Sequence, residues 1–147
     1  MSMTREQMDT LVNEHFMYEA RDDVDGVLAS LADAVRHEVV PSPAGLQTDK
    51  AGIRAFYERL FADLRGEGVT PVRRLYGDDF VVDESIWHGE VVDGRLFELD
   101  GRRGRVSFRL LHVFELADGK IAGEAVWCDL AALRRQLLNE PEGVNAS

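Results

Sequence analysis

Residues 106–138 read VSFRLLHVFELADGKIAGEAVWCDLAALRRQLL, two alternating apolar strands around Asp118-Gly119 that run straight into an amphipathic helix. Asp-Gly between two period-two segments is a strong hairpin signal, because both central turn residues must adopt positive φ. The hairpin commits the chain to an antiparallel pair. At the strand–helix boundary, Trp127-Cys128-Asp129 sets an aromatic and a carboxylate two residues apart. On a strand that spacing puts both on one face, a common way to furnish a small pocket.

Upstream the order is helices first, sheet later. Thr4 is placed to cap a helix with Met8, Leu11, Val12, His15 and Phe16 on one stripe. Asp22 or Asp23 opens a second helix carrying Val24, Val27, Leu28 and Leu31, and a strand is expected at 34–40. Pro41-Ser42-Pro43 and Gly45 then force a turn and a loop. Thr48 or Asp49 caps a third helix whose Ile53, Phe56, Tyr57, Leu60 and Phe61 face the core, with Gly66 and Gly68 stopping it. From Val69 the period becomes two. Strands are expected over 70–76, 80–92, 95–99, 105–116 and 120–128, and a last helix over 130–138. The 147 residues suit one domain, 1–138, followed by a frayed tail, 139–147. At this length a chain buries about 70% of its unfolded surface, enough for a core with an internal cavity.

These elements make an α+β cone, a curved, mostly antiparallel sheet with helices packed on its concave side. The element order, with LFADLRGEG, VSFRLLHVFELADGKIAGEAVWCDL and LRRQL, resembles the nuclear-transport-factor-2-like superfamily. Within it the chain is most similar to the SnoaL-like polyketide cyclases, over nearly its whole length. The resemblance implies a cystatin-type α+β barrel around an apolar pocket, acid–base catalysis without a cofactor, and pairing through the convex sheet face as a homodimer. Ketosteroid isomerases, scytalone dehydratases, limonene-1,2-epoxide hydrolases and proteins of no known reaction share the fold, so the fold alone leaves the activity open.

Strand parity selects the candidate site. Val35, His37 and Val39 point inward, as do Phe108, Leu110, His112 and Phe114. On the last strand Ile121, Gly123, Ala125, Trp127 and Asp129 share a parity, opposite Glu124 and Cys128. Asp129 is therefore expected as base or acid, with His112 and His37 as partners. Trp127, Trp87, Phe108, Leu110, Phe56, Tyr57, Phe16 and Tyr18 would supply the walls for a small apolar, even polycyclic, ligand. Such a set suits cyclisation, isomerisation or dehydration of a carbonyl-bearing substrate. Each residue has a structural alternative. Asp129 stands where an N-cap belongs, the two histidines could be satisfied core residues, and the helix-three aromatics are core first. His88 has ambiguous parity, and His15 is expected to pack or lie at the surface. Cys128 is expected to be an inert packing residue.

With 17 Lys plus Arg against 27 Asp plus Glu, the net charge of −10 disfavours nucleic acid and anionic lipid as partners. One cysteine allows no internal disulfide and fits a cytoplasmic protein. Met1 to Gln7 lacks a signal-peptide pattern, and no run of about 18 apolar residues is present. No His-x-His or His-x₃-His spacing occurs, so no metal is expected, and no phosphate loop or nucleophile elbow points to a cofactor. An epoxide hydrolase is disfavoured: in the resemblance its Tyr and Asn positions are His37 and Val39, and its Arg and second Asp fall near Ser85 and Trp87. The isomerases' carboxylate near the end of the first strand falls at Val39, with Glu38 outward. A non-catalytic ligand-binding or assembly domain on the same scaffold is the rival reading.

Overall fold

The first helix, α1 (Arg5–Ala20), starts with a capping box, Thr4 accepting from the Gln7 amide while Gln7 accepts from the Thr4 amide. Asp23 caps α2 (Val24–Ser30), whose Gly26 lies against the Tyr18 ring so closely that a Cβ would come within 2.2 Å. Then follow β1 (Leu31–Val40), the short β2 (Leu46–Gln47) and α3 (Lys50–Asp63), which Asp49 caps. The remainder is β3 (Leu64–Tyr76), β4 (Phe80–Val91), β5 (Gly104–Ala117), β6 (Lys120–Cys128) and α4 (Leu130–Leu137). The structure, a computed structural model, describes residues 3–41 and 44–139. Ser42-Pro43 of the expected turn and all but Asn139 of the expected tail lie outside them.

One mixed sheet holds the strands in the order β2-β1-β6-β5-β4-β3. All neighbours are antiparallel except β1 and β6, which run parallel. The sheet is open and curved, with helices on its concave side, as expected. Asp118 and Gly119 both take positive φ at the β5–β6 turn, 52° and 75°.

Two expectations are corrected. Gly66 and Gly68 do not stop α3; the helix ends at Asp63, and β3 runs through both glycines with register shifts there and at Pro71. Lacking side chains, the glycines let the strand bulge, and Gly66 sits against the Trp87 indole. Residues 95–99 form no strand but a 3₁₀ turn, Arg95–Phe97, closed by a Gly94–Leu99 bridge. Asp93 dictates this, its carboxylate accepting from the Arg95 and Gly101 amides. The turn is tied to α3 by a two-pronged Arg95–Asp63 pair at 2.7 and 2.8 Å.

The concave face holds two apolar clusters. One joins α1, α2 and α3 to the sheet through Val12, Val27, Ile53, Tyr57, Phe114 and Ile121. The other lies under α4, around Val91, Phe97, Phe108, Leu133 and Leu137. Phe56 and Leu60 of α3 pack against both. No helix among the described residues is long and apolar enough to cross a membrane.

Candidate functional site

A one-residue irregularity in β6 decides what faces the interior. Leu116 pairs with Ile121 but Glu115 pairs with Gly123, so Ala122 is an extra residue in the ladder. Such a bulge reverses the facing of every side chain beyond it. Ile121 is buried before the bulge; after it Glu124 and Val126 are buried, and Trp127 is 52% exposed. The expected inward set of Ala125, Trp127 and Asp129 is thereby corrected. Trp127 lies on the convex face. Asp129 is exposed, and its carboxylate accepts from the Ala132 amide as the cap of α4.

Glu124 takes the inward position instead, with only 3% exposure. It pairs with Phe114 on β5 and stands level with His37 on the parallel β1, so sheet register alone assembles carboxylate and imidazole. α3 adds Tyr57, whose Oη donates to Glu124 Oε1 at 3.1 Å. His37 Nε2 lies 3.2 Å from that phenol and 3.5 Å from Oε1. With the Tyr57 proton directed at Glu124, Nε2–H of His37 donates to Tyr57. On the other side, α1 brings His15, whose Nε2 lies 3.2 Å from Glu124 Oε2 and 2.8 Å from Glu19 Oε1. His15 Nδ1 lies 2.8 Å from Ser30 Oγ, and Ser30 donates its own proton to the Val27 carbonyl, so Nδ1 must carry the hydrogen. His112 completes the ring, its Nε2 3.9 Å from Oε2.

Electrostatics follow from this enclosure. Burial would raise the Glu124 pKa, but His15 above all, with His37 and His112, holds it well below the usual carboxylate range. Burial opposes charge on His15 too; Glu124 and Glu19 outweigh it and lift its pKa to about 10. At His37 burial prevails over Glu124 and pushes the pKa down, favouring the neutral ring. Burial, reinforced by Glu124 and Glu19, raises Tyr57 well above the ordinary phenol value.

Of the residues expected at the site, His37, His112, Tyr57, Phe16 and Phe56 come together. Phe16 meets the His112 ring edge-on at 5.0 Å, and Phe56 lies 5.1 Å from His37. Trp87, Phe108 and Leu110 belong to the neighbouring cluster under α4. Tyr18 of α1 lays its ring against Gly26 of α2 at the edge of the larger cluster. His88, between the Thr70 and Ser107 hydroxyls at 2.8 and 2.7 Å, is not part of the group. Cys128 is partly buried against the α4 cluster, its thiol pushed up to about 11 by burial and Asp129. Glu124 and His15 are the members that sequence reasoning missed. Perfect alternation in β6 pointed Glu124 outward, and the one available signal was a lone acid in an otherwise small and apolar strand. His15 shared the apolar stripe of α1 with Met8 and Val12, which could have marked it as buried.

The SnoaL-like domain model matches residues 12–124, from α1 to the buried glutamate itself. No curated protein matches the chain. Among solved structures, TsrD from Streptomyces laurentii is similar at 25% identity and a TM-score of 0.73, covering 92% of this chain and 97% of its own. A candidate SnoaL-like polyketide cyclase from Jannaschia sp. CCS1 is 19% identical with a TM-score of 0.78, over 96% and 99% of the two chains. An epoxide hydrolase of the LEH-like type from M. tuberculosis is 21% identical, TM-score 0.69, over 92% of each chain. With the model covering most of the chain and the cone-shaped sheet shared by these structures, the protein belongs to the SnoaL-like domain family of the nuclear-transport-factor-2-like fold.

Proposed function

We propose that this protein is a cofactor-independent acid–base enzyme that cyclises, isomerises or dehydrates a small apolar carbonyl compound. The observation that carries this reading is Glu124, a carboxyl group buried among three imidazoles and a phenol. In place of the expected Asp129, Glu124 anchors the proton chain. His37 Nε2–H donates to Tyr57, so in the neutral ring the lone pair falls to Nδ1, where a proton from the carbon beside a substrate carbonyl is taken up. The electron pair moves to the carbonyl oxygen as an enolate. The imidazolium so formed is held through Tyr57 by Glu124, as a carboxylate steadies a catalytic histidine in hydrolytic triads. His112 Nδ1, buried without a hydrogen-bond partner among the described residues, donates to the developing oxyanion. Returning the proton elsewhere isomerises the substrate, attack of the enolate on an internal carbonyl cyclises it, and loss of a β-hydroxyl dehydrates it. Partly buried Phe16, Phe56, Leu110 and Cys128 supply apolar surface on the concave side.

The test is deuterium exchange of α-protons in cyclic ketones, followed by NMR in D2O. Exchange by the native protein, slowed about 100-fold or more in Glu124→Gln and His37→Asn, supports the reading. Ketones that bind without exchanging would sink it. That result would favour a binding domain, a reading supported by Asp129 being engaged as a helix cap.

The proposal extends to the assembly. Trp127 stands exposed on the convex face opposite Leu111 of β5, and a homodimer through this face would cover it.

A further inference from the structure

Glu124 has two oxygens with different surroundings. Oε1 serves Tyr57 and His37, whereas Oε2 looks toward a separate group of donors on α1. There His15 Nε2, Glu19 Oε1 and a Glu124 oxygen all lie within 4.8 Å of one another, with His15 fully buried and Glu124 nearly so. Glu19 Oε1 is buried and ion-paired with His15 Nε2 at 2.8 Å, but the contact misses hydrogen-bond geometry and the oxygen has no hydrogen-bond partner among the described residues. Each of the other two donors is steadied from behind. Ser30 Oγ accepts a hydrogen bond from Nδ1–H of His15, leaving Nε2 to face the two carboxylates, and Tyr57 donates to the far oxygen of Glu124. Outer partners of this kind orient metal ligands and fix the histidine tautomer. The charges agree. Two carboxylates against one imidazolium leave a net −1, whereas a divalent ion replacing the Nε2 proton makes the group neutral.

We infer that His15, Glu19 and Glu124 bind a divalent first-row transition-metal ion, with zinc the best match to one imidazole and two carboxylates. Binding exchanges the Nε2 proton of His15 for the ion and releases that proton to solvent. Three protein ligands leave at least one coordination position open. The i,i+4 spacing of His15 and Glu19 on α1 supplies two ligands from adjacent turns of one helix face. The inference shares Glu124 with the acid–base reading but is tested apart from it, because its readouts are properties of the protein and the ion alone.

Chelator-treated full-length protein should be titrated with Zn2+ by calorimetry and with Co2+ by visible absorption. One ion per chain is expected, with a ligand-field band for nitrogen and oxygen donors. Glu19→Gln is the mild variant, because its side chain is 22% exposed and its loss leaves the core intact. It should weaken binding by about 10-fold or more, and His15→Gln by about 100-fold or more. Failure of the folded native protein to bind either ion saturably would overturn the inference, as would unchanged affinity in both variants.

Discussion

Asp129 and Glu124 are five residues apart and have opposite fates, and two substitutions tell them apart. Asp129→Ala removes the side chain that caps α4 and should lower stability by about 1 kcal/mol in denaturant melts, with α-proton exchange unchanged. Glu124→Gln should do the reverse to activity, since the amide cannot carry the negative charge that steadies the His37 imidazolium. A loss of exchange in Asp129→Ala equal to that in Glu124→Gln would mean the wrong carboxylate has been chosen. Gly26 is a residue of a different kind. Its α-carbon lies so near the Tyr18 ring that Gly26→Ala must displace the ring or separate α1 from α2, a cost of about 1–3 kcal/mol measurable as a lowered midpoint. His37 and His112 were legible from strand parity because β1 near His37 and β5 alternate regularly. Glu124 was not, because a bulge leaves no mark in a pattern of side-chain types.

At the scale of elements, α1 is held to the β3–β4 hairpin by a polar latch. Asp9 accepts from Tyr76 Oη at 2.5 Å and from Arg74 at 2.9 Å, and Arg74 also donates to Asp83 at 2.8 Å. The Tyr76 hydrogen bond and then Arg74 hold the Asp9 carboxyl below its ordinary value of 3.8 despite some burial. A depressed folded-state pKa means stability that is present above the unfolded value and lost as pH falls through the folded one. Native protein and Asp9→Asn should therefore differ at pH 7, by no more than about 1 kcal/mol since Asp9 is 37% exposed, and begin to converge as pH falls below 3.8. Melting curves of the two across pH 2–7 check this; a constant gap would show that the charge is irrelevant. The latch matters to the site because α1 carries His15 and Phe16. Both the helices and the hairpin were legible from periodicity and caps. The 3₁₀ turn after Asp93 was not, because a single Asx interaction overrode an apolar, strand-like pattern.

For the whole molecule, Trp127, 52% exposed on the convex face of the sheet, leads to the prediction that Trp127→Glu shifts light-scattering mass from dimer to monomer. A native protein already monomeric at tens of micromolar would exclude that interface. The sequence by itself determined the architecture. Hydrophobic period, Thr4 and Asp23 caps, and the Asp118-Gly119 turn act over a few residues, and such local rules suffice to order four helices and a sheet. It also determined that two imidazoles enter the interior, since alternation is local too. The tertiary structure alone decided which acid meets them. That outcome depends on the extra residue at Ala122, the parallel register that sets His37 beside Glu124, and the helix crossing that brings His15 and Tyr57 from 109 and 67 residues away. Those are non-local pairings, set by the packing of the whole cone, and no window of sequence contains them.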